Sequence, residues 1–159
     1  MGNNETDTKV YVYLAGNMAG LTREDLFAQW QAMRLGILAA WAEAVKPTEA
    51  SDALVILDPI TGATPHPGYL VEADLTHVRQ ADVVLAAFHC PGVGTASELA
   101  ASYYENGRSR KAVVWCENAA MAASPWTHAF ADSVHMDIVS AARRATEMLV
   151  DAWRRKQRL

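Results

Sequence analysis

The stretch Asp82–Ala100, DVVLAAFHCPGVGTASELA, holds the reading that decides the fold. Asp82–Phe88 is a short apolar, β-branched run of the kind that forms a buried strand. It turns through His89, Cys90, Pro91 and two glycines, Gly92 and Gly94, and enters a helical pattern at Thr95 that runs to about Asn106. A strand that passes through a glycine-rich turn into a helix is half of a βαβ unit, the connection that parallel strands require.

The same alternation extends in both directions. Upstream, Lys9–Ala15 (KVYVYLA) reads as a first strand stopping at Gly16, and Ala53–Leu57 (ALVIL) as a second ending at Asp58-Pro59. Between them, Leu26, Trp30, Met33, Ile37 and Trp41 recur at spacings of three and four over Thr22–Glu43, a helix with Thr22 as N-cap. Residues Thr61–Gly68, with two prolines, predict a rim loop or lid. Tyr69–Gln80 then reads as a helix with Val71, Leu75 and Val78 inward. Downstream come a fourth strand at Lys111–Cys116 (KAVVWC), a short fifth at Ser133–Met136, and a closing helix from Ile138 to about Arg155. That helix is expected to bury Val139, Ala142, Ala145, Leu149 and Trp153. Strands and helices in alternation define an α/β chain with a doubly wound parallel sheet and helices on both faces. Ligands of such sheets bind beyond the carboxyl ends of the strands, where strand order reverses. The segments to search are therefore Gly16–Leu21, Pro59–Gly68, His89–Thr95 and Glu117–Ser124.

Composition narrows the partner. A chain of 159 residues, 51% hydrophobic and without repeats or a composition break, is expected to form a single domain over residues 9–159. The polar segment 1–8 is expected to be flexible and does not resemble a signal peptide. A net charge of -4 argues against an extended nucleic acid as ligand, and no apolar stretch predicts a membrane span, so a cytoplasmic protein acting on a small molecule is expected. Cys90 and Cys116 lack CxxC spacing and read as free thiols. His66, His77, His89, His128 and His135 show no ligand spacing, so no metal is expected, and no cofactor fingerprint is present. His66 and His89 fall on rim loops. The arginines and lysine of the last helix read as a solvated face.

Three segments carry chemistry. In GVGTASEL, Thr95-x-x-Glu98 has the form of a capping box, and a carboxylate in a helix's first turn is held ionised by the dipole and free N–H groups. The same carboxylate, ionised and positioned, is what attack on an anomeric carbon needs. Both readings of Glu98 stand. The segment YLAGNMAG (Tyr13–Gly20) is a turn whose glycines tolerate positive φ, and also a natural sugar-binding loop. In EADLTHVRQAD (Glu72–Asp82), Asp82 reads as a junction residue between helix and strand, whereas Asp74 borders a buried stripe, where a carboxylate is costly without a partner or ligand.

Taken together, YLAG after the first strand, ADL before the third and GTASEL after it resemble the nucleoside 2-deoxyribosyltransferase family, including its nucleotide N-hydrolase relatives. The resemblance runs from Val10 to Cys116. It implies a flavodoxin-like five-stranded parallel sheet, and a reaction in which Glu98 attacks C1′ of a nucleoside to form a glycosyl ester. Asp74 would contact the base and assist its protonation, and Tyr13 would orient Glu98. Gly16, Asn17, Met18, Gly92, Gly94 and Thr95 would line the substrate pocket. It also implies a homo-oligomer with shared sites, for which Thr127 or His128 of a neighbouring subunit are candidates, with Met121 and Trp126 near the interface. Two departures stand out: Gly92 takes the place of an acidic residue common in the transferases, and Asn17, Met18 and Ala19 replace the phosphate-binding Ser and Arg of the hydrolases. The reading is a 2-deoxyribosyl transferase; the alternatives are an N-hydrolase of nucleoside 5′-monophosphates and a non-catalytic nucleotide-binding module.

Overall fold

The computed structural model of the chain describes residues 9–16, 21–46, 52–58 and 67–158. Strands β1 (Val10–Gly16), β2 (Leu54–Leu57), β3 (Val83–Ala87), β4 (Ala112–Trp115) and β5 (Ala131–His135) form one sheet in the order β2-β1-β3-β4-β5, every pair parallel. This is the flavodoxin-like order, with its switch point between β1 and β3. The β1–β3 pair sets Tyr13 opposite Val84 and Gly16 opposite Ala87.

Helices α1 (Arg23–Ala44) and α6 (Ile138–Lys156) cover one face. Helices α2 (Pro67–Gln80) and α3 (Val93–Glu105) cover the other, with α4 (Ala119–Ala122) and α5 (Pro125–Phe130) leading into β5. Side chains alternate along β1. Val12 and Leu14 enter the core under α1 and α6, while Tyr13 and Ala15 point to α2 and α3. Thr22 caps α1 as expected, in a reciprocal box with Asp25.

Helix α6 packs on α1 through a close approach. A Cβ on Gly36 would stand 2.9 Å from Ala142 Cβ, and Trp41 meets Trp153 edge-on at 6.1 Å. Asp82 has the structural role expected of it: its Oδ2 accepts from the Tyr11 N–H at 2.9 Å and from Lys156 Nζ at 2.8 Å, tying β1, β3 and α6 together. At the same edge of the sheet, the Lys111 ammonium donates to the carbonyls of Val78 and Ala81 at the end of α2, where helix carbonyls lack partners of their own.

Several sequence expectations need correction. Val71 and Val139 are 60% and 63% exposed. In α6 the buried set is Ala141, Ala142, Ala145, Thr146, Leu149, Val150, Ala152 and Trp153, which leaves Val139 on the outer flank. The sheet-facing residue of α2 is Val78, two turns after Val71 along the helix. Residues Glu117–Ser124, expected as loop, hold the short helix α4, capped by Asn118, and a second short helix, α5, starts just after them at Pro125. The segment 1–8, Asn17, Met18, Gly20, His66 and nearly all of the expected lid lie outside the described residues.

The Gly36 contact has a measurable consequence. Gly36→Val forces α1 and α6 apart against a backbone that cannot yield, and is expected to destabilise the fold by about 1–3 kcal/mol, read as a lower denaturant midpoint with an unchanged m-value.

Candidate functional site

Glu98 occupies a core position. Along α3 the buried residues are Thr95, Glu98, Leu99 and Ser102, a stripe at spacings of three and four. An ordinary helix would place apolar residues at most of these positions. Here a carboxyl group is only 9% exposed, which is costly unless the surroundings answer it. The answer comes from β1: the fully buried Tyr13 donates its hydroxyl hydrogen bond to Glu98 Oε1 at 2.8 Å, across 85 residues of sequence. The other oxygen, Oε2, is buried and has no hydrogen-bond partner among the described residues.

Asp74, on α2, completes the cluster. Its side chain is half-buried and interacts with the Tyr13 hydroxyl by charge and by hydrogen bonding. His77 lies three positions after Asp74, so both share one face of α2. The His77 ring lies 5.8 Å from that of Tyr13, and its buried Nδ1 has no hydrogen-bond partner among the described residues. Sequence reading passed over His77 as one of five scattered histidines. The signal available was its spacing from Asp74.

The electrostatics invert one expectation. Glu98 was read as a first-turn carboxylate with a lowered pKa, in a capping box with Thr95. In the structure the helix starts at Val93 with Gly92 as N-cap, so Glu98 is its sixth residue, beyond the free N–H groups of the first turn. Thr95 Oγ1 is buried without a partner among the described residues, so no capping box forms. Burial therefore dominates. It pushes the Glu98 carboxyl up to about 7, aided by the charge of Asp74 and opposed by the Tyr13 hydrogen bond. The Tyr13 phenol is pushed far above its usual range by burial, then by the charges of Glu98 and Asp74, so it remains a neutral donor.

The remaining sequence candidates separate. A Cβ on Gly16 would stand 2.6 Å from both Gln29 Nε2 and Trp30 Nε1, so a larger residue here would have to displace these two side chains of α1. Gly94 faces open space, where a Cβ would meet nothing within 4 Å, and Gly92 has an extended backbone any residue can adopt. Thr127 is buried, and its hydroxyl donates to Met121 O at 2.8 Å within its own chain; His128 and Trp126 are exposed. His89 is half-buried, its Nδ1 accepting from the Glu117 N–H at 3.1 Å. Cys90 and Cys116 are free thiols.

No family model matches the chain, and no curated protein matches it in sequence. Among solved structures, a 2-desoxiribosyltransferase from Leishmania mexicana is similar, with a TM-score of 0.48 and 17% identity. The similarity covers 69% of this chain and 65% of that protein, so this chain matches less than two thirds of its length. Among the described residues, no helix is long and apolar enough to cross a membrane.

The raised Glu98 pKa has a defined sign. A carboxyl raised from 4.5 to about 7 keeps its proton in the folded state over that window, so its stabilising contribution is complete below 4.5 and lost as pH rises through 7. Glu98→Gln keeps the acceptor for Tyr13 and removes the titration. The stability of the wild type is expected to fall relative to Glu98→Gln between pH 5 and 8, by on the order of 3 kcal/mol, read from denaturant unfolding at each pH; parallel pH profiles for the two proteins would show that Glu98 is not protonated in this window.

Proposed function

We propose that this chain is a nucleoside 2-deoxyribosyltransferase, a single domain over residues 9–159 in which Glu98 is the nucleophile. The observation that carries the reading is the Tyr13–Glu98 hydrogen bond at a position where a carboxyl group weakens the fold. A costly group retained and aimed by a buried phenol, with a second carboxyl group in the same cluster, has the character of a functional site.

The chemistry is balanced. The bond from C1′ to the base nitrogen breaks, its electron pair leaves with the base, and Asp74, once it has taken up a proton, passes that proton to the departing base nitrogen. The oxocarbenium-like centre at C1′ is captured by a Glu98 oxygen as an ester. Tyr13 holds one carboxylate oxygen, leaving Oε2 for bond formation. A nitrogen of an incoming base then attacks C1′, its proton passes to Asp74 and the Glu98 carboxylate leaves; water in place of the base gives hydrolysis. Gly16, Asn17, Met18, Gly92, Gly94 and Thr95 would border the sugar. A neighbouring subunit of a homo-oligomer would complete the pocket.

The segments that follow the first four strands, residues 16–22, 58–66, 88–92 and 116–124, contain no Lys or Arg. A phosphate dianion beside Glu98 and Asp74 would meet repulsion without a counter-charge. This favours uncharged nucleosides over nucleoside monophosphates as substrates.

Intact-protein mass spectrometry after incubation with 2′-deoxynucleosides tests the reading. A mass gain of one deoxyribosyl group is expected, absent in Glu98→Ala, together with base exchange when a second base is added. Asp74→Asn is expected to slow turnover by about 10²–10⁴-fold. Adduct formation should quicken as pH rises through about 7, as Glu98 ionises. Free base and sugar without exchange would reassign the chain as an N-hydrolase, and activity confined to monophosphates would overturn the nucleoside preference. No adduct and no turnover with any substrate would leave a binding module.

A further inference from the structure

Cations gather at the edge of the sheet where the strands begin, because the helices run against the strands and end there. Residues 106–111, between α3 and β4, and 151–158, at the end of α6, hold seven of the chain's 14 Lys and Arg and a single acid, Asp151. Lys156 ties this end of α6 to the start of β1, its Nζ donating to Lys9 O at 2.9 Å. Between the two segments lies a cavity of about 390 Å³, whose lining includes Asn106, Ser109 and Arg110 on one side and Asp151 and Arg155 on the other. Glu98 stands eight positions before Asn106, about 12 Å along the axis of α3, toward the opposite edge of the sheet.

Part of this charge serves the fold. Lys111 donates to carbonyls at the end of α2, and Lys156 pairs with Asp82. The arginines are different. Arg108, Arg110, Arg154, Arg155 and Arg158 are all exposed, and none has an ion pair or a side-chain hydrogen bond among the described residues. Elsewhere Arg34, Arg79 and Arg144 each meet a carboxylate. The helix dipole favours cations in the last turn of α6, but Arg108 and Arg110 lie beyond the end of α3, on a turn. That turn is fixed in place. Arg108 adopts a left-handed backbone, φ 64°, which residues with a Cβ rarely take, and the N–H groups of Arg108 and Ser109 donate to Tyr103 O and Asn106 O at 2.9 and 3.1 Å. Arg110 and Arg155 are thus both set into the lining of one cavity, where their like charges repel unless an anion lies between them.

We propose that this cavity binds a chain of linked phosphates, a triphosphate, held between the guanidinium groups of Arg110 and Arg155. The planar fork of a guanidinium matches the oxygens of a phosphate group in pairs, and two forks carried by separate elements suit a ligand with more than one phosphate. The Ser109 hydroxyl is a further donor in the lining, and Arg108, Arg154 and Arg158 add to the local field. Asp82, also in the lining, already accepts from Lys156, so Asp151 is the one lining carboxylate that opposes an anion. Val83 and Met148 are the apolar lining residues, which leaves an apolar ligand little to contact. The volume falls at the small end of ligand pockets, which run from about 300 Å³. The site is independent of the reaction assigned to Glu98.

Inorganic tripolyphosphate and ATP share this chemistry, so the test titrates the full chain with each by calorimetry at low salt, without a divalent cation. Saturable binding of tripolyphosphate at one site per chain is expected, weakening as salt is raised. Arg110→Gln and Arg155→Gln, each checked for folding by melting temperature, are each expected to weaken it about tenfold or more through loss of a charged hydrogen-bonding group. Arg143→Gln removes the same charge from an exposed arginine eight positions before Asp151 on α6 and is expected to leave binding unchanged. Equal affinity for ATP would show that the phosphates alone are read, and tighter binding of ATP that the nucleoside adds contacts; either outcome supports the site. Binding of ATP without tripolyphosphate, no saturable binding of either, undiminished binding in both folded groove variants, or an equal loss in Arg143→Gln would overturn the proposal.

Discussion

The parallel pairing of β1 with β3 is the constraint on which the rest of the molecule depends. Because chain connections to a parallel sheet turn right-handed, reversing strand order at this pair sends α1 to one face and α2 and α3 to the other. Among the described residues, no helix crosses directly from the end of β1 to β3. The alternation of β1 then assigns neighbouring residues to different chemistry: Tyr13 reaches the carboxyl groups of α2 and α3, while Gly16, three residues on, admits α1 with its Gln29 and Trp30. One strand thereby serves two separate environments.

Most of the fold was legible because its signals are local. Apolar β-branched runs marked the first four strands, whereas β5, with the polar sequence ADSVH, was placed at Ser133–Met136 and lies at Ala131–His135; the stripe Met33, Ile37, Trp41 marked the inner face of α1. Strand order was not local, and it came from resemblance. The short helices α4 and α5 were missed because runs such as AAMA and PWTHAF are too brief to show a period. Val71 and Val139 were misplaced for a related reason: hydrophobic periodicity finds a helix face but not how far a helix overhangs the sheet, nor which flank its end presents.

The site was legible as a set of residues and illegible as an environment. Tyr13, Asp74 and Glu98 were named from motifs, and they do converge. The ionisation of Glu98 was read with the wrong sign because the helix start was placed at Thr95 rather than Val93. Two residues of helix change a carboxylate stabilised by free N–H groups into one dominated by desolvation. The contact of His77 with the ring of Tyr13, 64 positions away in sequence, was not legible; only its spacing from Asp74 on α2 was.

The protonation of Glu98 connects stability to chemistry. In the proposed reaction, burial that excludes water from C1′ would be the condition under which a glycosyl intermediate survives long enough to meet a second base, yet the same burial favours the protonated carboxyl, which would be no nucleophile. The Tyr13 hydrogen bond acts against this by stabilising the carboxylate, and it engages only one oxygen. A stronger counter-charge, such as an arginine, would ionise Glu98 fully and also lower its nucleophilicity by holding both oxygens. Under the proposed mechanism, a neutral phenol would be the compromise that holds Glu98 in place while leaving its second oxygen to react.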